Sequence, residues 1–233
     1  MAFEITKVQE DYLGKIISKI NPFNDLSPGE INMLVLNSVR IHLKKGDKLY
    51  DFGVPTKSVY VLMDGAIKIS TPNFGFKEVI HDMINAPGIF GFQECASKQN
   101  LNKNAICISP ILTCYAIPFN VIKSLMKENS SFNFQLFNQL SEQILEKENR
   151  VEQLMTCDAR ERVVNFIKNQ ARQKGIRIGY EILLKHSFTQ QDIADFAGTS
   201  RQTVTNILKE LKDKNKIHVE RRSILIRDIN DFL

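Results

Sequence analysis

Tryptophan is absent from this chain, and cysteine is scarce: 4 in 233 residues, at Cys95, Cys107, Cys114 and Cys157. So few and so scattered, they exclude a disulfide framework and read as reduced, structural thiols of a cytoplasmic protein. With 11 Gly and 7 Pro the chain is neither collagen-like nor linker-dominated. No apolar run approaches the roughly 18 residues that span a bilayer. Residues 1–6 lack the basic-then-apolar order of a signal peptide. Four histidines (His42, His81, His186, His218) stand isolated, with no His-x-His pair and no glycine-rich phosphate loop. A metal-dependent enzyme on a β-fold needs such a cluster, so the sequence predicts no catalytic centre and no metal.

What is present is uneven. Residues 1–155 balance 16 basic against 16 acidic side chains, whereas residues 156–233 carry 15 against 10. The entire net charge of +5 sits in the last third, as expected of a small polyanion-binding module attached to a neutral one.

Hydrophobic periodicity divides the chain further. Short helical signals open it, the second marked by the capping box Ser27-Pro28-Gly29-Glu30. From Val39 the period becomes two: Val39, Ile41 and Leu43, then Val59, Val61 and Met63, then Ile67 and Ile69. Turn signals recur at Lys45-Gly46-Asp47, Gly53-Val54-Pro55, Asp64-Gly65, Pro72-Asn73 and Pro87-Gly88. This pattern predicts an antiparallel, jelly-roll-like β-domain over about residues 38–118, with Asp64-Gly65 as a hairpin turn. Residues 132–155 contain no Gly or Pro and predict a long helix. Its seam at Phe137, Leu140, Ile144, Val151 and Leu154 has heptad spacing and suits a parallel dimer, with Lys147 as a polar break. The alternative is one amphipathic helix packed on its own domain.

Residues 188–211 are the most informative stretch. Thr189 caps a short helix, with Asp192 at the reciprocal position. Ala194 is small where two helices cross, Gly198 supplies positive φ for the turn, and Ser200 caps a second helix. Ile193, Val204 and Ile207 form an apolar triangle. This is the spacing of a helix-turn-helix, with its recognition helix over about residues 201–215. Arg201, Gln202, Thr205 and Asn206 then face outward and are candidates to read base edges, Arg at guanine and Gln or Asn at adenine. Thr189, Gln191, Ser200, Thr203 and Lys209 suit phosphate oxygens, as do Arg221 and Arg222 at the tip of a hairpin wing.

These motifs resemble the cyclic-AMP receptor protein / fumarate-nitrate regulator (Crp/Fnr) family of bacterial transcription factors, over nearly the whole chain. Residues 45–53 and 58–69 look like that family's β-roll, and the long helix and Asp158 look like its dimerisation helix and hinge. The resemblance implies an α+β chain in three parts: an N-terminal antiparallel β-roll like a cyclic-nucleotide-binding domain (1–130), a dimerisation helix and hinge (131–157), and a winged helix-turn-helix (158–233). It implies a homodimeric regulator on inverted-repeat DNA, with RNA polymerase as a further partner. In the family the residue matching Arg201 contacts a base edge. The two other reading positions, usually Glu and Arg in the cyclic-AMP receptor, are Gln202 and Asn206 here, which leaves the operator open.

The family's ligand signatures are altered. Where a Gly-Glu pair would hold the ribose stands Gly88-Ile89, and where Arg-Ser-Ala would bind the cyclic phosphate stands Lys103-Asn104-Ala105. Lysine cannot make arginine's planar bidentate contact. The ring-sensing hydroxyls on the long helix become Lys147 and Glu148, so the sequence argues against cyclic AMP. An iron–sulfur cluster needs cysteines near the N-terminus, and the first is Cys95. A haem ligand among the histidines stays open, although an isolated histidine more often satisfies a local hydrogen bond. No cofactor is expected. One effector pocket is conceivable, a small-anion site formed by Lys103, Asn104 and Lys147; the alternatives are an effector-independent regulator and a sensor module signalling through protein contacts.

Overall fold

The computed structural model describes residues 7–72, 78–97 and 102–229; the Pro72-Asn73 turn signal runs out of this range at Asn73. Two N-terminal helices come first, α1 (Lys7–Ile17) and α2 (Pro28–Leu36). Ser27 closes the expected capping box on α2: its Oγ accepts from the Glu30 amide, and the Glu30 carboxylate accepts from the Ser27 amide at 2.8 Å.

Eight strands follow: β1 (Val39–Lys44), β2 (Lys48–Tyr50), β3 (Ser58–Asp64), β4 (Ala66–Thr71), β5 (Val79–Asn85), β6 (Gly88–Phe90), then, after the short helix α3 (Phe92–Ala96), β7 (Asn104–Cys107) and β8 (Ile111–Pro118). They form two four-stranded sheets, ordered β1-β8-β3-β6 and β2-β7-β4-β5. The β-roll expected from the period-two pattern is therefore present.

The alternation has a specific consequence in the first sheet, which separates two cores. Val59 and Val61 of β3, Tyr115 and Ile117 of β8 and Ile89 of β6 face one core, built with Leu13, Ile17, Phe23 and Leu34. Tyr60, Leu62, Cys114, Ala116 and Phe90 face the other, the interior of the roll. β3 is thus buried on both faces, and its ladder partners are β6 and β8. That corrects the Asp64-Gly65 hairpin: β3 and β4 lie in different sheets, so Gly65 turns the chain from one sheet to the other. Gly65 does have positive φ, +88°, and a Cβ there would come within 2.5 Å of Ser109 Oγ.

After the roll come α4 (Phe119–Glu128) and the long helix α5 (Ser130–Thr156). The sequence reading had not singled out α3 or α4. Phe132 and Leu136 anchor the start of α5 in the first core, where the Phe132 ring stacks on Phe23 at 5.6 Å. The described residues divide into two compact units inside α5: those up to Glu146, apart from residues 78–80, belong to the first, and Lys147 onward to the second.

The second unit continues with α6 (Ala159–Lys174), β9 (Ile176–Ile178), β10 (Glu181–Lys185), α7 (Gln190–Ala197), α8 (Arg201–Asp213), β11 (Ile217–Glu220) and β12 (Ser223–Ile226). Asp158 caps α6 in a full capping box with Glu161. Gly175 ends α6 in extended backbone rather than in a left-handed turn. It is glycine for space, since a Cβ there would lie 2.3 Å from the Ala171 carbonyl oxygen. The strands form one antiparallel sheet, β11-β12-β10-β9, and α6, α7 and α8 bury Val163, Val164, Ile167, Ile193, Ala194, Val204 and Leu211. No helix among the described residues is long and apolar enough to cross a membrane.

Candidate nucleic-acid interface

The helix-turn-helix is formed by α7 and α8. At the start of α7 the Thr189 Oγ1 accepts from the Asp192 amide at 3.1 Å and donates to Asp192 Oδ2 at 2.7 Å. The hydroxyl proton of Thr189 is therefore held inside the cap. Gly198 adopts φ +64°, the left-handed conformation the turn was expected to need. Ser200 Oγ accepts from the Thr203 amide at 3.0 Å and lies 2.7 Å from Thr203 Oγ1. Ile193, Val204 and Ile207 are all buried, as the apolar triangle requires.

With that face buried, the opposite face of α8 is left in water. Arg201, Gln202, Asn206 and Lys209 are exposed, and Thr205 is half-buried. Gln202 Nε2 donates to Asn206 Oδ1 at 3.0 Å, so these two amides form an i,i+4 pair. Thr205 Oγ1 lies 2.8 Å from Gln190 Oε1 and 2.9 Å from the Arg201 carbonyl oxygen. Gln191 Nε2 donates to Asp195 Oδ1 at 2.8 Å. Arg221 and Arg222 occupy the exposed turn between β11 and β12, the tip of the wing. Of the two carboxylates on α8, Glu210 and Asp213, Glu210 is paired with Lys214 at 2.7 Å and Arg160 at 3.3 Å. Those contacts hold its carboxyl below the usual range, the Lys214 hydrogen bond most of all.

The seam residues of α5 are exposed: Phe137 64%, Ile144 55%, Val151 56% and Leu154 47%, whereas Leu140 packs partly against its own core. Lys147 is exposed on the same helix, in the second unit.

In the first unit the altered ligand signature takes a definite form. Ile89 faces the core, and Gly91, with φ +102°, opens α3. A carboxylate that the sequence reading did not single out is buried there: Glu94, with the Lys103 ammonium 3.6 Å away. Asn104 is buried too, and its Oδ1 accepts from the Phe52 amide at 2.6 Å. The roll interior holds stacked rings, with Tyr60 5.3 Å from Phe90 and 6.0 Å from Tyr50. Tyr50 Oη is buried without a hydrogen-bond partner, and burial pushes this phenol well above its ordinary pKa. Burial likewise pushes the Cys114 thiol up to about 12 and the Cys95 thiol up to about 11. Thiols so shifted stay protonated at neutral pH and pack as small apolar groups. Among the described residues no group of three or more His, Cys, Asp or Glu is placed to hold a metal.

Known proteins match both units. Residues 40–129 match the model of the cyclic nucleotide-binding domain, and residues 161–232 that of the Crp-like helix-turn-helix domain. The global nitrogen regulator of Nostoc sp. is 27% identical over 176 residues, 75% of this chain and 78% of the relative. The CRP-like cAMP-activated global transcriptional regulator of Mycobacterium tuberculosis is 21% identical over 93% of this chain and 96% of its own length. Among solved structures, FixK2 of Bradyrhizobium japonicum superposes with a TM-score of 0.75 over 84% of this chain and 95% of that one, at 17% identity. The first two are named as global regulators, the second of them as a transcriptional one.

Proposed function

Since a cyclic nucleotide-binding domain is followed here by a Crp-like helix-turn-helix, the chain belongs to the Crp/Fnr family of transcription regulators, and we propose that it acts in the cytoplasm as a homodimer on inverted-repeat operators. One observation carries this reading: the face of α8 that begins at Arg201 is exposed, capped by Ser200 and backed by a buried apolar triangle. Such a helix can enter a major groove as a rigid body, with its N-terminal side chains against base edges. Arg201 reads guanine; Gln202, Thr205 and Asn206 read neighbouring pairs. Gln191, Ser200, Thr203, Lys209, Arg221 and Arg222 hold phosphates, while Thr189 serves first as the cap of α7.

The dimer half of the proposal rests on Phe137, Ile144, Val151 and Leu154, which stand 47–64% exposed at heptad spacing on α5. Apolar side chains so arranged are stabilised by burial against a second copy, by roughly 1.5–3 kcal/mol for each one fully covered. A paired α5 sets two recognition helices about 34 Å apart, one DNA turn. RNA polymerase follows as a partner from the family. Any small effector belongs in the β-roll, and cyclic AMP does not suit it: Ile89 offers no acceptor, and Lys103 already faces the buried Glu94.

Electrophoretic shifts with genomic fragments test the core of this reading. Discrete complexes that survive excess random DNA are expected. Ile144→Glu should shift the protein to monomer in sedimentation and abolish the discrete complexes; a variant that stays dimeric and binds normally would remove α5 as the seam.

A further inference from the structure

The turn of the helix-turn-helix is gripped from two sides within the second unit. α7 ends at Ala197; the Ala194 carbonyl accepts from the Gly198 and Thr199 amides, and the later carbonyls lie beyond the helix's own i,i+4 bonds. Arg150, on the last turns of α5, donates from Nη2 to the Phe196 carbonyl oxygen at 2.9 Å, and its guanidinium lies 3.9 Å over the Phe196 ring. Arg162, on α6, donates from Nε to the Ala197 carbonyl oxygen at 2.7 Å and from Nη1 to the Cys157 carbonyl oxygen at 2.7 Å. One guanidinium therefore ties the hinge between α5 and α6 to the turn between α7 and α8. Leu154 of α5 completes the joint: a Cβ on Gly198 would lie 3.3 Å from its Cδ2. Three successive carbonyls, 196 to 198, are met by two guanidinium groups, Arg150 at Phe196 and Arg162 at Ala197 and, at 3.5 Å, at Gly198, and Arg201 begins α8 three positions later.

We propose that Arg150 and Arg162 are positioning residues that fix the recognition helix to the end of the dimerisation helix, and thereby set the half-site spacing the protein accepts. The inference rests on the DNA-binding dimer proposed above. Guanidinium suits the task for two reasons. Its forked donors satisfy carbonyls with charge-assisted bonds, and its cation complements the negative end of the α7 dipole. Planar stacking on Phe196 adds an orientation that an ammonium would lack. With α5 paired across the dimer, the angle between its last turns and α8 determines where each α8 meets the groove. A firm joint makes spacing strict, and a loosened one makes it tolerant.

The test is a ladder of duplexes carrying the selected inverted repeat with its centre shortened or lengthened by one and two base pairs. Full-length wild type should bind the native spacing at least about tenfold more tightly than the others. Arg150→Met keeps the apolar stem over Phe196 and removes the donors. It should bind the native spacing more weakly and reduce the discrimination to about threefold or less, with an unchanged salt slope because no phosphate contact is lost. Should Arg150→Met fail to fold, Arg150→Gln is read on the same ladder with the same criterion. A variant with the wild-type spacing profile would overturn the inference and leave the DNA-binding reading intact. A wild-type protein that binds no duplex, or binds all spacings alike, would remove that reading and this one with it.

Discussion

The two units place several of their polar side chains in opposite ways. In the β-roll some point inward and are met there: Glu94 by Lys103, Asn104 by the Phe52 amide, Thr56 Oγ1 by Tyr60 Oη at 2.7 Å. On the helix-turn-helix face of the second unit, by contrast, Ser200 caps α8 and Arg201, Gln202 and Lys209 stand in water. A buried polar group whose partner is removed keeps its full desolvation penalty, so polar residues of the roll contribute chiefly to stability. An exposed one contributes little until a ligand arrives.

The sharpest way to break this comparison is through the cores. Phe132→Ala removes a ring stacked on Phe23 and fully buried; it should lower stability by about 3–5 kcal/mol in denaturant titration. A loss below about 1 kcal/mol would show that the start of α5 is not packed as described. Next comes a matched pair. Asn104→Ala removes a buried side chain that accepts from the Phe52 amide, which keeps Asp51 Oδ1 at 2.8 Å as a second acceptor, and should reduce stability by about 0.5–1.5 kcal/mol. Arg201→Ala should leave stability within about 0.5 kcal/mol while weakening operator binding by roughly 1–3 kcal/mol. The reverse assignment, with Asn104→Ala silent in unfolding or Arg201→Ala destabilising, would dissolve the distinction between the units. Arg221→Ala sharpens the second side of it: binding should weaken about equally on operator and random DNA, with the salt slope reduced by about one.

The smallest effect concerns pH. His186 stacks on Phe188 with ring centroids 4.0 Å apart, its Nε2 is buried without a partner, and burial lowers its pKa from the ordinary 6.5. A group whose folded pKa is depressed is neutral when folded and takes up its proton on unfolding. Its contribution is therefore complete above about pH 6.5 and is lost as pH falls through that value toward the folded pKa. Thermal melts should show Tm declining between pH 7 and pH 5.5 in wild type and declining less in His186→Gln. Equal declines would assign the loss to other groups.

Legibility from sequence followed distance along the chain. The caps at Ser27, Asp158, Thr189 and Ser200 each join residues three apart, and each was readable as a short pattern. The positive φ at Gly198 was readable for the same reason. Period-two alternation revealed the strands, yet not which sheet each joins: β3 has both edges taken by β6 and β8, so β4 crosses to the other sheet and Asp64-Gly65 is a corner. Contacts between distant residues left no local trace. Asn104 meets Phe52 across 52 positions, Arg150 meets Phe196 across 46 and Arg162 meets Ala197 across 35. Glu94 lies between Gln93 and Cys95, a polar context that does not distinguish a buried carboxylate from an exposed one, and its partner Lys103 stands nine positions away. Pro118 ahead of Phe119 could have marked the start of α4.

Parallel in vitro selection from random duplexes, with full-length wild type and Arg201→Ala side by side, probes the central claim most directly. The account predicts that wild type enriches an inverted repeat with half-sites one helical turn apart, and that the variant enriches the same repeat with one guanine position in each half-site relaxed. Identical motifs from the two proteins, or no enriched motif from wild type, would contradict it.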